Sequence, residues 1–241
     1  MHLVIDAADP SGLARFWAAA LGWAVTKDDP GGLAVVDPPD DDPVQAGQLR
    51  LVFVPVDDPK TVKNRVHLDL GSTSAGHQAA EVARLEALGA RPADIGQVDV
   101  PWVVLADPEG NELCQLDARP LYDGIGPVVA VVVDVRDPGA VAPFWAAATG
   151  WDVVEVDADH ASLRRPDGTG PYLELLRIGD PKTTKNRIHL DVAPYPGDDL
   201  AAELARLESL GAHPADIGQG DVAWHVLADP EGTELCLLTP Y

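Results

Sequence analysis

The residues best placed to do chemistry lie in two near-identical runs, Arg65-Val66-His67-Leu68-Asp69-Leu70 and Arg187-Ile188-His189-Leu190-Asp191-Val192. In an extended chain successive side chains leave opposite faces, so Arg65, His67 and Asp69 share one face and Val66, Leu68 and Leu70 the other. The apolar face must meet a helix. The other face then carries an imidazole and a carboxylate within a segment too apolar for a surface loop, as the lining of a polar cavity would. A following run puts Glu112, Cys114 and Leu116 on one face, so Glu112 is expected to approach His67. Glu234 and Cys236 repeat the arrangement for His189. Near the chain start, His2, Val4 and Asp6 share a face. Trp102 and Trp224, one strand earlier than the closing runs, are expected to line the same cavities or the core and could stack on a flat ligand. Lys63, Arg65, Lys185 and Arg187 supply local positive charge, for ion pairs or for an anionic group. No phosphate-binding glycine loop, nucleophile elbow or zinc-spaced cysteine cluster occurs.

These runs recur because the chain repeats itself. FWAAALGW at Phe16 to Trp23 returns as FWAAATGW at Phe144 to Trp151, a shift of 144 − 16 = 128. KNRVHLDL at Lys63 returns as KNRIHLDV at Lys185, and LADPEGNELC at Leu105 as LADPEGTELC at Leu227, at a shift of 185 − 63 = 122. The second copy is thus six residues shorter, at the polar, Pro-rich segment around Asp37 to Gly47, which reads as a surface loop. The spacing predicts a first domain over 1–118, a linker over 119–126 and a second domain over 127–241. Each copy divides again by pattern into two units of strand, helix and strands, over roughly 1–58, 59–118, 127–180 and 181–241. In the first unit Asp9 and Pro10 open a helix with Leu13, Phe16, Trp17, Ala20 and Leu21 at helical spacing, and Gly22 closes it. Trp17 and Trp145 belong to that apolar stripe. The Asp107-Pro108-Glu109-Gly110 stretch predicts a tight turn between two strands.

At 241 residues and 46% hydrophobic content, two domains with real cores are expected. The net charge of −22 repels a phosphate backbone and excludes a nucleic-acid partner. No run approaches the roughly 18 apolar residues of a spanning helix and no leader pattern opens the chain, so a cytoplasmic location without membrane association is expected. Cys114 and Cys236 fall at matching points inside apolar runs, as small core or cavity residues rather than a disulfide pair.

The FWAAALGW helix, the KNRxHLD strand and the LADPEGNELC hairpin, in this order and twice over, resemble the vicinal-oxygen-chelate superfamily, most closely its glyoxalase-like domains. The resemblance implies an α+β fold of four βαβββ units forming two open eight-stranded cups with helices outside. It implies a divalent metal (Fe, Mn, Zn or Ni) held by His2, His67 and Glu112, in the first domain only. In the second copy Ala130 stands opposite His2, leaving His189 and Glu234 as ligand-binding residues, with Asp134 nearby. The implied function is a metal-dependent enzyme of lyase, isomerase or dioxygenase type on a small oxygen-rich substrate, in which Asp69 or Glu112 moves protons. The alternatives are a metal-free protein that sequesters an aromatic antibiotic or metabolite, and a metal-free natural-product enzyme. A small-molecule ligand is the expected partner, and internal duplication makes a monomer the expected state.

Overall fold

The computed structural model describes residues 1–45, 47–194 and 197–239. The first unit comprises β1 (His2–Ala7), α1 (Pro10–Leu21), β2 (Ala24–Asp28), β3 (Ala34–Asp37) and β4 (Arg50–Pro55). The second comprises β5 (Val66–Ser72), α2 (Ala75–Leu88), β6 (Arg91–Pro92), β7 (Val103–Ala106) and β8 (Glu112–Ala118). A 3-10 turn at Pro120–Tyr122 leads into the third: β9 (Val128–Val135), α3 (Pro138–Thr149), β10 (Asp152–Val156), β11 (His160–Arg164) and β12 (Tyr172–Arg177). The fourth has β13 (Ile188–Val192), α4 (Leu200–Ser209), β14 (His213–Pro214), β15 (His225–Ala228) and β16 (Glu234–Leu237).

The α1 helix begins where the sequence marks it. The Asp9 side chain accepts from the Gly12 N–H, Pro10 occupies the first turn, and Gly22 ends the helix in the left-handed region at φ 70°. Asp137, Pro138 and Gly150 repeat this for α3.

The strands form two open eight-stranded sheets, ordered β14-β15-β16-β13-β1-β4-β3-β2 and β10-β11-β12-β9-β5-β8-β7-β6. Each sheet therefore joins one unit from each copy. β1 of the first copy pairs antiparallel with β13 of the second, Val4 opposite His189, and β5 pairs antiparallel with β9, His67 opposite Val132. The ligand set His2, His67 and Glu112 requires a cup closed within the first copy; the two cups are instead composite, the first unit with the fourth and the second with the third.

What holds a copy together is the helix layer. Trp17 of α1 donates its indole N–H to Asp107 in the turn of the second unit, and Glu109 of that turn accepts from Ala8 and Asp9 N–H at the start of α1. Arg84 of α2 donates to the Ala19 and Ala20 carbonyls, satisfying the open end of α1. The second copy repeats these contacts with Trp145 to Asp229, Glu231 to the N–H groups of Arg136 and Asp137, and Arg206 to Ala147. The copy is thus a packing unit and the sheet is shared between copies. Lys63 bridges to the buried Asp134 of the other copy and Lys185 to the buried Asp6, so the KNR motifs fasten the two halves across the sheet centres.

Composite cups and their His-Asp-Cys clusters

Strand alternation separates the two faces of the cup strands around the His-Asp motifs. Val66, Leu68 and Leu70 join the core beneath the helices, as do Leu113, Val131, Val133, Leu173 and Leu175. His67, Asp69, Glu112 and Cys114 leave the other face, together with Glu174 and Ser162, and all six are buried. His67, Asp69 and Cys114 form one cluster, with their N, O and S donor atoms within 4.8 Å of one another. His189, Asp191 and Cys236 form the equivalent cluster in the other sheet, also within 4.8 Å. The Nε2 of His67 lies 3.5 Å from Asp69 Oδ1, and that of His189 lies 3.3 Å from Asp191 Oδ1. Both oxygens are shut off from solvent, with the imidazole and the thiol beside them. Such an oxygen calls for a cation or a donor. Burial pushes both thiols well above their ordinary range, with the neighbouring Asp69 or Asp191 charge acting in the same direction.

The other residues singled out in the sequence are distributed differently. His2 belongs to the β1–β13 sheet, directly opposite Asp191, so it stands with His189 rather than with His67 and Glu112. The set His2, His67 and Glu112 is therefore not brought together, because the sheet and not the copy is the unit of convergence. Burial, then the adjacent N-terminal ammonium, pushes the His2 imidazole below its ordinary value. Glu112 lies on the cup face but is committed elsewhere: Lys60 Nζ donates to Oε1 at 2.7 Å and the Asn64 N–H to Oε2 at 3.1 Å. Glu234 is held likewise by Lys182 and Asn186. These carboxylates anchor the loops entering β5 and β13. Asp134 is taken up by Lys63. Ala130 faces the His67 cup, opposite Asp69, so it takes no donor away from His189.

The two cups differ in their remaining walls. Across the β5–β9 sheet, Val132 pairs with Glu174 and Glu174 with Ser162. At the matching places of the other sheet, Val4 pairs with Val52 and Val52 with Val35. Trp102, Val104, Tyr122 and Tyr172 pack around Cys114, Leu116, Ile125 and Val129. Tyr122 meets Tyr172 edge-on with centroids 5.8 Å apart, and Arg119 and Arg164 sit over Trp102 and Tyr172 at 5.6 and 4.3 Å. Trp224 is more open, at 41% exposure, and approaches Cys236. Trp17, Trp23, Trp145 and Trp151 all lie in the core.

Glu174, Ser162 and Tyr172 carried no motif in the sequence. The signal was the alternation in Tyr172-Leu173-Glu174-Leu175 and His160-Ala161-Ser162-Leu163, which sets polar side chains on the face opposite the core.

The sequence matches the family described as Glyoxalase-like domain over residues 2–116 and again over 130–238. The chain belongs to that family. No curated protein matches it. Among solved structures, glyoxalase I from Zea mays superposes with a TM-score of 0.65 at 17% identity, covering 99% of this chain and 91% of that one. A candidate dioxygenase from Bacillus subtilis subsp. subtilis str. 168 does so with a TM-score of 0.64 at 14% identity, covering 99% and 84%. At such identities the likeness is one of fold. Among the described residues no helix is long and apolar enough to cross a membrane.

Proposed function

We propose that this glyoxalase-like protein is a metal-dependent enzyme acting on a small oxygen-rich molecule, with one site in each composite cup. The observation that supports this reading is the buried His-Asp-Cys cluster of each cup, whose nitrogen, oxygen and sulfur donor atoms lie within 4.8 Å of one another. An imidazole, a carboxylate and a thiol form a donor set that suits Zn(II), Fe(II) or Ni(II) better than Mn(II), because sulfur favours the softer ions. His67, Asp69 and Cys114 would hold the ion in one cup, and His189, Asp191 and Cys236 in the other. A bound ion would polarise the oxygens of the ligand. The chain's own residues then orient that ligand: Trp102, Tyr122 and Tyr172 offer aromatic surface for a flat molecule, and Arg119 and Arg164 bring positive charge to the wall. The buried thiols hold their protons firmly, so loading releases protons and affinity is expected to rise with pH.

Elemental analysis of protein prepared without chelators tests this. The wild type is expected to carry about one ion per cup, and His67→Ala and His189→Ala each about half of the total. A wild type without metal would reject the enzyme reading in favour of a metal-free binding protein, whose supporting observation is the aromatic wall around Cys114. Since one chain supplies both units of each cup, we propose that the monomer is the working form, with a small molecule as its partner.

A further inference from the structure

The β5–β9 cup contains a second chemical device, separate from the His-Asp-Cys cluster. Asp157 and His160 stand at the β10–β11 hairpin, where Asp157 Oδ2 lies 3.3 Å from His160 Nδ1. The other ring nitrogen, Nε2, lies 3.2 Å from Ser162 Oγ, and Ser162 Oγ donates to Glu174 Oε2. The series begins with a solvent-exposed carboxylate, passes through a partly exposed ring, and ends on a serine and a glutamate that are 4% and 6% exposed. Strand pairing fixes its inner half, because Ser162 and Glu174 are direct cross-strand partners and His160 is two residues, hence the same face, from Ser162.

The other cup lacks every inner member. Register matches Glu174 with Val52 and Ser162 with Val35, and two residues before Val35 stands Leu33 in place of His160. No packing requirement of the fold therefore demands the polar series.

We propose that Asp157, His160, Ser162 and Glu174 form a proton relay from solvent to the β5–β9 cup, a device whose inner members the other cup replaces with Leu33, Val35 and Val52. With the imidazole protonated, both ring N–H groups have acceptors, Asp157 on one side and Ser162 on the other. The Nε2 proton passes to Ser162 Oγ as the serine proton passes to Glu174 Oε2, leaving a neutral imidazole and a carboxylic acid. Glu174 hands that proton to a ligand that gains one on oxygen or carbon; the imidazole ring then turns over, so that its bare nitrogen meets solvent beside Asp157 and takes a proton there from hydronium or a buffer acid. Glu174 is the group facing the ligand, and His160 and Ser162 are positioning residues. The other charged or titratable groups around Glu174 are Glu155 from β10, Asp69 from β5 and Tyr122 from the 3-10 turn. The proposal does not depend on metal.

Carbon-13 NMR titration of the Glu174 carboxyl tests it, on untreated and on chelator-treated protein. Ser162→Ala is expected to raise the Glu174 midpoint, because it removes the hydroxyl that donates to the carboxylate, and His160→Gln is expected to raise it as well, because it removes the imidazole that joins that hydroxyl to solvent. A midpoint unchanged in both variants overturns the relay, whatever the metal analysis gives. Should His160→Gln fail to fold, Ser162→Ala decides alone: an unchanged midpoint there overturns the relay and a raised one supports it.

Discussion

At the residue scale the informative groups are those whose surroundings do not match their chemistry. Asp69 and Asp191 set buried carboxylates against an imidazole and a thiol, and Glu174 sits in a place that disfavours its charge. Burial is the main reason its carboxyl is raised, and the Ser162 hydrogen bond only partly offsets it. A carboxyl that binds its proton more tightly in the fold than in the unfolded chain destabilises the fold at any pH above both values. The penalty vanishes once the pH falls below the unfolded value of about 4. Glu174→Gln is therefore expected to melt higher than wild type at neutral pH, and the gap should close on acidification. Parallel melting curves across that range check this, and a variant that melts lower at neutral pH would show that the charged form is net favourable. The sequence displayed His67 and Asp69 through simple alternation. It misassigned Glu112, because alternation gives a side chain's face but not the lysine that reaches it from a preceding loop.

At the element scale the Asp-Pro-Glu-Gly turn is a clasp. Glu109 accepts two N–H groups where α1 begins, Asp107 accepts the Trp17 indole, and these contacts join the second unit to the first without entering either cup. Glu109→Ala leaves two helix-start donors without their carboxylate and is expected to cost about 1–2 kcal/mol. Urea unfolding measures the loss, and metal content should be unaffected. An unchanged unfolding midpoint would show that water replaces the carboxylate fully. The turn itself was legible from its Pro and Gly; its role was not, since the residues it grips lie about a hundred positions away. The segment from Asp37 to Gly47 is similar. Composition predicts a surface loop, yet Gln45 accepts the Trp23 indole, and the adjoining Gln48 donates to the Ile125 and Val128 carbonyls.

For the whole molecule, the exchange of units between copies makes a specific demand on each half. Residues 1–118 alone would carry β1 without β13 and β5 without β9, leaving two long buried strands with unpaired edges. The same fragment offers the remedy, because β1 and β5 of two copies can pair as β1 pairs β13 and as β9 pairs β5. The isolated half is expected to be a dimer by light scattering. A folded monomer of the half would contradict the composite-cup architecture.

The sequence by itself determined the repeat, the four units, the limits of α1 and the face shared by His67 with Asp69 and by His189 with Asp191. All of these are local, since capping, period-two alternation and turn chemistry act over a few residues. Only the tertiary structure decided which units share a sheet, and with it that His2 accompanies His189, that Ala130 faces Asp69, and that Glu174 and Ser162 complete the cup of His67. The reason is physical. Strand edges present the same backbone donors and acceptors whichever copy they come from, so the choice of partner rests on the helix clasps within each copy and the Lys63–Asp134 and Lys185–Asp6 bridges between them.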